Sequence, residues 1–189
     1  MLAVRTGVVH GRFQVLHLKE LEYILAAKMR CSKLYIGVTN PDHAYTRESV
    51  NDPERSKRIN NPMTFFERYE MIEKTLVDFG VQREAFDVIP FPINRPDILL
   101  EYAPEDARYF MTIHDAWGEE KYNILTQLGL DVEVLWNRPL SEKGITGAEV
   151  RRNIGFYKQW EHLVPKAVYE YIVEHNIDER IIKNLTEIF

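Results

Sequence analysis

Val8-Val9-His10-Gly11-Arg12-Phe13-Gln14-Val15-Leu16-His17-Leu18-Lys19-Glu20 is the stretch that decides the fold. The β-branched run from Val4 to Val9 reads as a strand that ends in a glycine-bearing turn at His10-Gly11. Beyond it, Leu18, Leu21, Ile24, Leu25 and Met29 fall at helical spacing. A strand therefore feeds a helix through a turn that carries Arg12 and His17. A helix N-terminus presents unpaired N–H groups and a partial positive charge, which suits phosphate. Gly11 would let backbone approach a ligand closely, and Arg12 and His17 would add donors. A plain turn with a surface histidine explains the same residues, so the cluster needs support from elsewhere in the chain.

Outward from this unit the alternation continues. Leu34 to Val38 reads as a strand closed by Asn40-Pro41, and Thr64 to Phe79 as a helix with Phe65, Tyr69, Ile72 and Leu76 on one face. Asp87 to Phe91, Arg108 to Ile113 and Val132 to Trp136 read as strands, with a helix over Glu119 to Leu128 between the last two. Strands alternating with helices predict an α/β fold, a Rossmann-like open parallel sheet of about five strands flanked by helices. Ligands of such sheets bind at the carboxyl ends of the strands. From Trp160 the pattern is helical only, over Val164 to His175 and Asp178 to Ile188. Residues 1–157 are thus expected to form the Rossmann-like domain and 158–189 a C-terminal helical extension of it. His43 to Asn61 is polar and strand-free, which predicts a mobile loop or flap. Its His43, Arg47, Arg55, Lys57 and Arg58 either form a solvated charge run or close over phosphates as a lid.

Bulk properties restrict what the site can serve. With 189 residues the chain is long enough for one domain with a real core. A hydrophobic fraction of 45% and a charged fraction of 28% are those of a globular protein. The net charge of −5 does not favour long nucleic acids, so any positive charge for phosphates must be local. Cys31 is the lone cysteine, which excludes an internal disulfide and a multi-cysteine zinc site. It also suits a reducing cytosol. No apolar run approaches membrane-spanning length, and Met1 to Val9 lacks the features of a signal peptide. A cytoplasmic protein with neither nucleic-acid nor membrane partners is expected.

The second informative segment is Gly144-Ile145-Thr146-Gly147-Ala148-Glu149-Val150-Arg151-Arg152. Thr146 suits a helix N-cap, and Glu149 three residues on gives capping-box spacing. Capping alone does not explain two adjacent arginines one turn into a helix whose N-terminus already attracts anions.

Together these segments resemble the signatures of the nucleotidyltransferase superfamily, and particularly of the archaeal-type nicotinamide mononucleotide (NMN) adenylyltransferases. Gly11-Arg12-Phe13-Gln14 with His17 is similar to Gly-Arg-Phe-Gln-Pro followed by His-x-Gly-His. Val15 stands in place of the proline, Lys19 of the glycine and Glu20 of the second histidine. The segment from Ile145 resembles Ile-Ser-Ser/Gly-Thr-x-x-Arg, with Thr146 at the first hydroxyl, Ala148 in place of the threonine and Arg151 at the arginine. Asn61-Pro-Met-Thr-Phe-Phe-Glu-Arg68 is similar to Asn-Pro-Phe-Thr-x-x-Glu-Arg. The likeness runs from Val4 to about Val173.

The resemblance implies a nucleotide site of Gly11, Arg12, Phe13, Gln14, His17, Ile145, Thr146, Gly147 and Arg151. It implies catalytic charge stabilisation by His17, Lys19 and Arg151, with Mg²⁺ as cofactor and no protein residue assigned as its ligand. Glu20 leaves two readings open. Either Lys19 supplies the missing cationic contact while Glu20 turns away or meets Mg²⁺, or the chain is a catalytically degenerate nucleotide-binding protein. For the acceptor the candidates are Asn40, Arg68, Asn94, Arg95, His114, Asp115 and Trp117. The pyridine-holding aromatic after Asn94 is missing, and Thr112-Ile-His-Asp-Ala-Trp-Gly118 replaces the family's Ser/Thr-Gly-Asn.

The implied reaction transfers a nucleotidyl group from a nucleoside triphosphate to a small phosphorylated acceptor, releasing pyrophosphate. NMN-adenylyltransferase-like use of ATP is the first expectation. CTP with a small phosphonate or phosphate ester is the alternative, since cytidylyltransferases share the fold. Members of the superfamily often form homo-oligomers. An NAD-type Rossmann protein is set aside because the first turn lacks Gly-x-Gly-x-x-Gly.

Overall fold

The computed structural model describes residues 4–42 and 57–186. Five strands, β1 (Val4–Gly11), β2 (Cys31–Val38), β3 (Phe86–Pro90), β4 (Arg108–Ile113) and β5 (Asp131–Asn137), pair in parallel in the order β3-β2-β1-β4-β5. The chain steps outward from β1 to β3, then returns to the other side of β1 for β4. The order reverses between β1 and β4, and a crevice opens there beyond the strands' carboxyl ends.

Side-chain alternation along β1 divides the core. Val9 faces one cluster, with Ile24 of α1 (Leu18–Lys28), Ile72 of α2 (Phe65–Asp78) and Ile154 of α4 (Gly147–Gly155). Val8 faces the other, with Tyr109, Met111 and the Trp117 and Leu125 side chains of α3 (Ala116–Gln127). Helices α5 (Lys166–Glu174) and α6 (Ile177–Thr186) extend the first cluster through Val168, Ile172, Ile177 and Ile181. They lie against α2 and α4, and Arg180 forms an ion pair at 2.8 Å with Glu67 in the first turn of α2. Among the described residues no helix is long and apolar enough to cross a membrane.

The helices start where their caps dictate. Thr64 Oγ1 accepts from the Glu67 N–H at 3.1 Å, and the Glu67 carboxylate accepts from the Thr64 N–H at 2.8 Å, a reciprocal box. Helix α3 begins three residues before the expected Glu119, because the Asp115 carboxylate caps it by accepting from the Gly118 N–H at 2.8 Å. Of the expected flap, His43, Arg47 and Arg55 lie outside the described residues, whereas Lys57 and Arg58 lead into a short 3-10 turn, Arg58–Asn60.

Candidate active site

Three helices point their N-termini at one cleft of about 370 Å³ over the carboxyl ends of β1, β4 and β5. They differ in what caps them. Helix α3 already carries the Asp115 carboxylate at its positive end, and Lys143 lies 3.6 Å from that carboxylate. Helices α1 and α4 are capped by His17 and by the Thr146 hydroxyl, which accept from the Glu20 and Glu149 N–H groups at 3.3 and 3.2 Å. The caps of these two ends carry no carboxylate, although each first turn holds one, Glu20 in α1 and Glu149 in α4.

His17 is nearly buried and takes a defined tautomer. Its Nδ1 accepts the capping bond, so in the neutral ring Nε2 carries the proton. Burial lowers its pKa and Lys143 adds to the fall, outweighing the opposing Glu20, which keeps the ring neutral at neutral pH. Glu20 brings a carboxylate oxygen to 3.6 Å from Nε2. That Oε2 is buried and accepts no hydrogen bond among the described residues. Lys19, one candidate for the missing cationic contact, pairs with Glu22 at 2.7 Å.

The turn after β1 is held by its own side chains and by two buried arginines. A Cβ on Gly11 would sit 2.7 Å from the Phe13 ring, so packing inside the turn also requires glycine there. Gln14 clamps the Met63 backbone, donating to its carbonyl at 2.9 Å and accepting from its N–H at 3.0 Å. Arg151 donates to the Gln14 carbonyl and, at 3.0 Å, to Asn60 Oδ1. Arg68 donates to the Arg12 carbonyl at 3.0 Å, to the Thr39 and Asn40 carbonyls at 2.7 and 2.8 Å, and to its own Thr64 carbonyl at 3.0 Å. A buried guanidinium is costly unless its donors are engaged, and charge-assisted bonds of this kind offset the cost. Burial, with Arg12 nearby, pushes both Arg68 and Arg151 down to about 10.

The sequence-predicted residues divide accordingly. Gly11, Arg12, Phe13, Gln14, His17, Lys19, Ile145, Thr146 and Gly147 line the cleft. So do His114, Asp115 and Trp117, expected with the acceptor, because they close β4 and open α3 on the far side of the same cleft. Asn40, Asn94 and Arg95 line a second cavity of about 340 Å³ beyond β2 and β3, with Asp42, Ile98 and Tyr102. Arg151 and Arg68 line neither. Both are buried with guanidinium donors on backbone carbonyls, a tertiary arrangement that a signature match does not disclose.

The chain is 50% identical over 176 residues to the phosphonoformate cytidylyltransferase of Streptomyces viridochromogenes, covering 93% of this chain and 95% of that one. It is 32% identical to the nicotinamide-nucleotide adenylyltransferase of Saccharolobus solfataricus, covering 93% and 94%. The chain belongs to the nucleotidyltransferase superfamily. No protein-family model matches it. The fold agrees with a solved bifunctional NMN adenylyltransferase/ADP ribose pyrophosphatase from Francisella tularensis, crystallised with AMP and a manganese ion. That likeness has a TM-score of 0.66 at 16% identity, and covers 95% of this chain and about half, 52%, of the other.

Within this nucleotidyltransferase, several cleft residues escaped the sequence reading. Trp136 and Arg138 leave the end of β5, with the guanidinium 5.6 Å from the indole centroid. His114 Nδ1 lies 3.0 Å from the Arg138 carbonyl and joins the ends of β4 and β5. Lys121 and Lys143 add cations. Their signal was positional: each follows a strand end in a sheet whose ligands sit at strand ends. The cleft lining thus carries Arg12, Lys19, Lys121, Arg138 and Lys143 alongside the carboxylates of Glu20, Glu22, Asp115 and Glu142.

Proposed function

We propose that this nucleotidyltransferase uses CTP and a small phosphonate, of which phosphonoformate is the first to try. The observation that carries the choice is the 50% identity, over nearly the whole of both chains, to a phosphonoformate cytidylyltransferase, against 32% to an adenylyltransferase acting on nicotinamide nucleotide. The second cavity supports it. Asn40, Asn94 and Arg95, the last paired with Asp97 at 3.1 Å, line it alongside Asp42, and the tryptophan expected to hold a pyridine ring is replaced by the Arg95-Pro96-Asp97 turn.

In this reading the triphosphate lies along the starts of α1 and α4. His17 Nε2 donates to it, Arg12 stands beside it, and the base reaches toward Trp117, Trp136 and the His114–Arg138 junction. An ionised phosphonate oxygen attacks the α-phosphorus. A new P–O bond forms, the bond to the β-phosphate oxygen breaks, and pyrophosphate leaves with the electron pair. Such a nucleophile needs no general base, so catalysis rests on positioning and electrostatics.

Mg²⁺ is the cofactor proposed. Among the described residues no group of three His, Cys, Asp or Glu side chains could hold a metal by itself. Mg²⁺ is commonly bound by one or two carboxylates together with substrate phosphates, and the buried, unpartnered Oε2 of Glu20 fits that requirement. The ion would supply neutralisation of phosphate charge. The buried Cys31 thiol accords with a reducing cytosol as the location.

Calorimetric titration with CTP and with ATP, each with Mg²⁺, tests the choice of nucleotide. The proposal expects CTP to bind at least tenfold more tightly, about 1.4 kcal/mol. A preference for ATP would return the adenylyltransferase reading.

A further inference from the structure

We infer that Arg68 is a positioning residue that couples the nucleotide cleft to the second cavity, fixing the donor phosphate and the acceptor relative to one another. The inference rests on the reading of the two cavities as nucleotide and acceptor sites. Arg68 is fully buried and touches neither cavity, yet its guanidinium holds one backbone carbonyl of each. Nη1 bonds the carbonyl of Arg12, a cleft residue, and that of Thr39. Nη2 bonds the carbonyl of Asn40, which lines the second cavity.

Asn40 passes the connection on. It has a φ of +49°, a conformation that side-chain-bearing residues adopt rarely and that the Arg68 bond to its carbonyl helps to hold. Its Oδ1 accepts from Asn94 Nδ2 at 3.2 Å, and its Nδ2 reaches Asn61 Oδ1 at 3.5 Å. A continuous path therefore runs from the turn after β1, through a planar rigid guanidinium, to Asn94 at the acceptor wall. The rigid fork matters: a lysine has the charge but cannot span three carbonyls in fixed geometry. Group transfer between two separately held substrates is sensitive to their relative placement, so the path sets the reaction distance.

The test follows the Asn40 and Asn94 side-chain amide resonances and the backbone amides of residues 11–14 by NMR while CTP with Mg²⁺ is added. In the wild type both groups shift. In Arg68→Lys the residue 11–14 amides still shift but those of Asn40 and Asn94 do not, and kcat falls roughly hundredfold, far more than CTP affinity. Asn40→Gly serves as the second variant, since glycine accepts the positive φ. It keeps the carbonyl contacts, and the Asn94 response is lost. An Asn94 response in either variant equal to that of the wild type overturns the inference, as does a wild type in which residues 11–14 shift and Asn94 does not. Silence of residues 11–14 with both CTP and ATP overturns the nucleotide reading itself, and the inference with it.

Discussion

Glu20 Oε2 lies 3.6 Å from His17 Nε2, at the start of the helix whose N-terminus faces the cleft. Histidine and glutamate thus stand together where the family's signature has two histidines. In the proposed function this oxygen would meet the Mg²⁺ brought in with the nucleotide. Replacing Glu20 by Gln is expected to raise the Mg²⁺ concentration needed for half-maximal CTP binding roughly tenfold, the scale on which ligand-shell changes act. Glu20→His is expected to lower activity, not restore it. Unchanged Mg²⁺ dependence in Glu20→Gln would remove the carboxylate from the metal's surroundings.

The lowered pKa of His17 has a signed consequence for stability. Burial depresses the folded-state value below the ordinary one of about 6.5, so the unfolded chain binds the proton more readily. The folded state keeps its full stability above about pH 6.5 and loses it as the pH falls through the folded pKa of His17. Thermal unfolding followed from pH 7.5 downward should therefore show a steeper decline in the wild type than in His17→Asn, which retains a capping side chain. Parallel curves would mean that the ring titrates as it does in water.

Helix α4 abuts the turn after β1 through Gly147. A Cβ there would meet the Gln14 carbonyl oxygen at 2.6 Å and its carbon at 3.0 Å, both backbone atoms unable to swing aside. Gly147→Ala is expected to destabilise the protein by about 1–3 kcal/mol, as overpacking does. It should also weaken CTP binding by displacing the α4 terminus from α1, which calorimetry on the folded variant would measure. Wild-type stability and affinity would show that this contact carries no strain.

Asp115 caps α3 and faces Lys143, and although burial pushes its pKa up, the Gly118 N–H and Lys143 together hold it below the ordinary value. Asp115→Ala should cost about 1 kcal/mol through the lost cap, read by urea denaturation. Asp115→Asn retains a capping oxygen and should recover most of that loss. If both variants lost stability equally, the charge and not the cap would be responsible.

The fold was legible wherever a local pattern decided the matter. Val4 to Val9 followed by helical spacing from Leu18 announces β1 and α1, and Arg108 to Ile113 was read with the bounds that β4 has. Differences fell at element ends: α3 starts early because Asp115 accepts from Gly118, a bond that apolar periodicity does not register, and β2 starts at Cys31, three residues before the expected Leu34. In the site, the signatures do not disclose which arginines line a cavity and which are buried beneath it. Arg68 and Arg151 bond carbonyls 28 to 137 residues away in sequence, and only the folded sheet brings those carbonyls together. The division into two cavities was equally hidden, since His114 and Asn94 both follow strand ends yet stand on opposite sides of β1.

Incubation of the purified protein with CTP, Mg²⁺ and phosphonoformate, followed by phosphorus NMR, tests the central claim most directly. Release of pyrophosphate together with a new cytidylyl–phosphonate signal, and no corresponding product from ATP with NMN, is the predicted result. Formation of a dinucleotide from ATP and NMN, with CTP and phosphonoformate left unchanged, would contradict it.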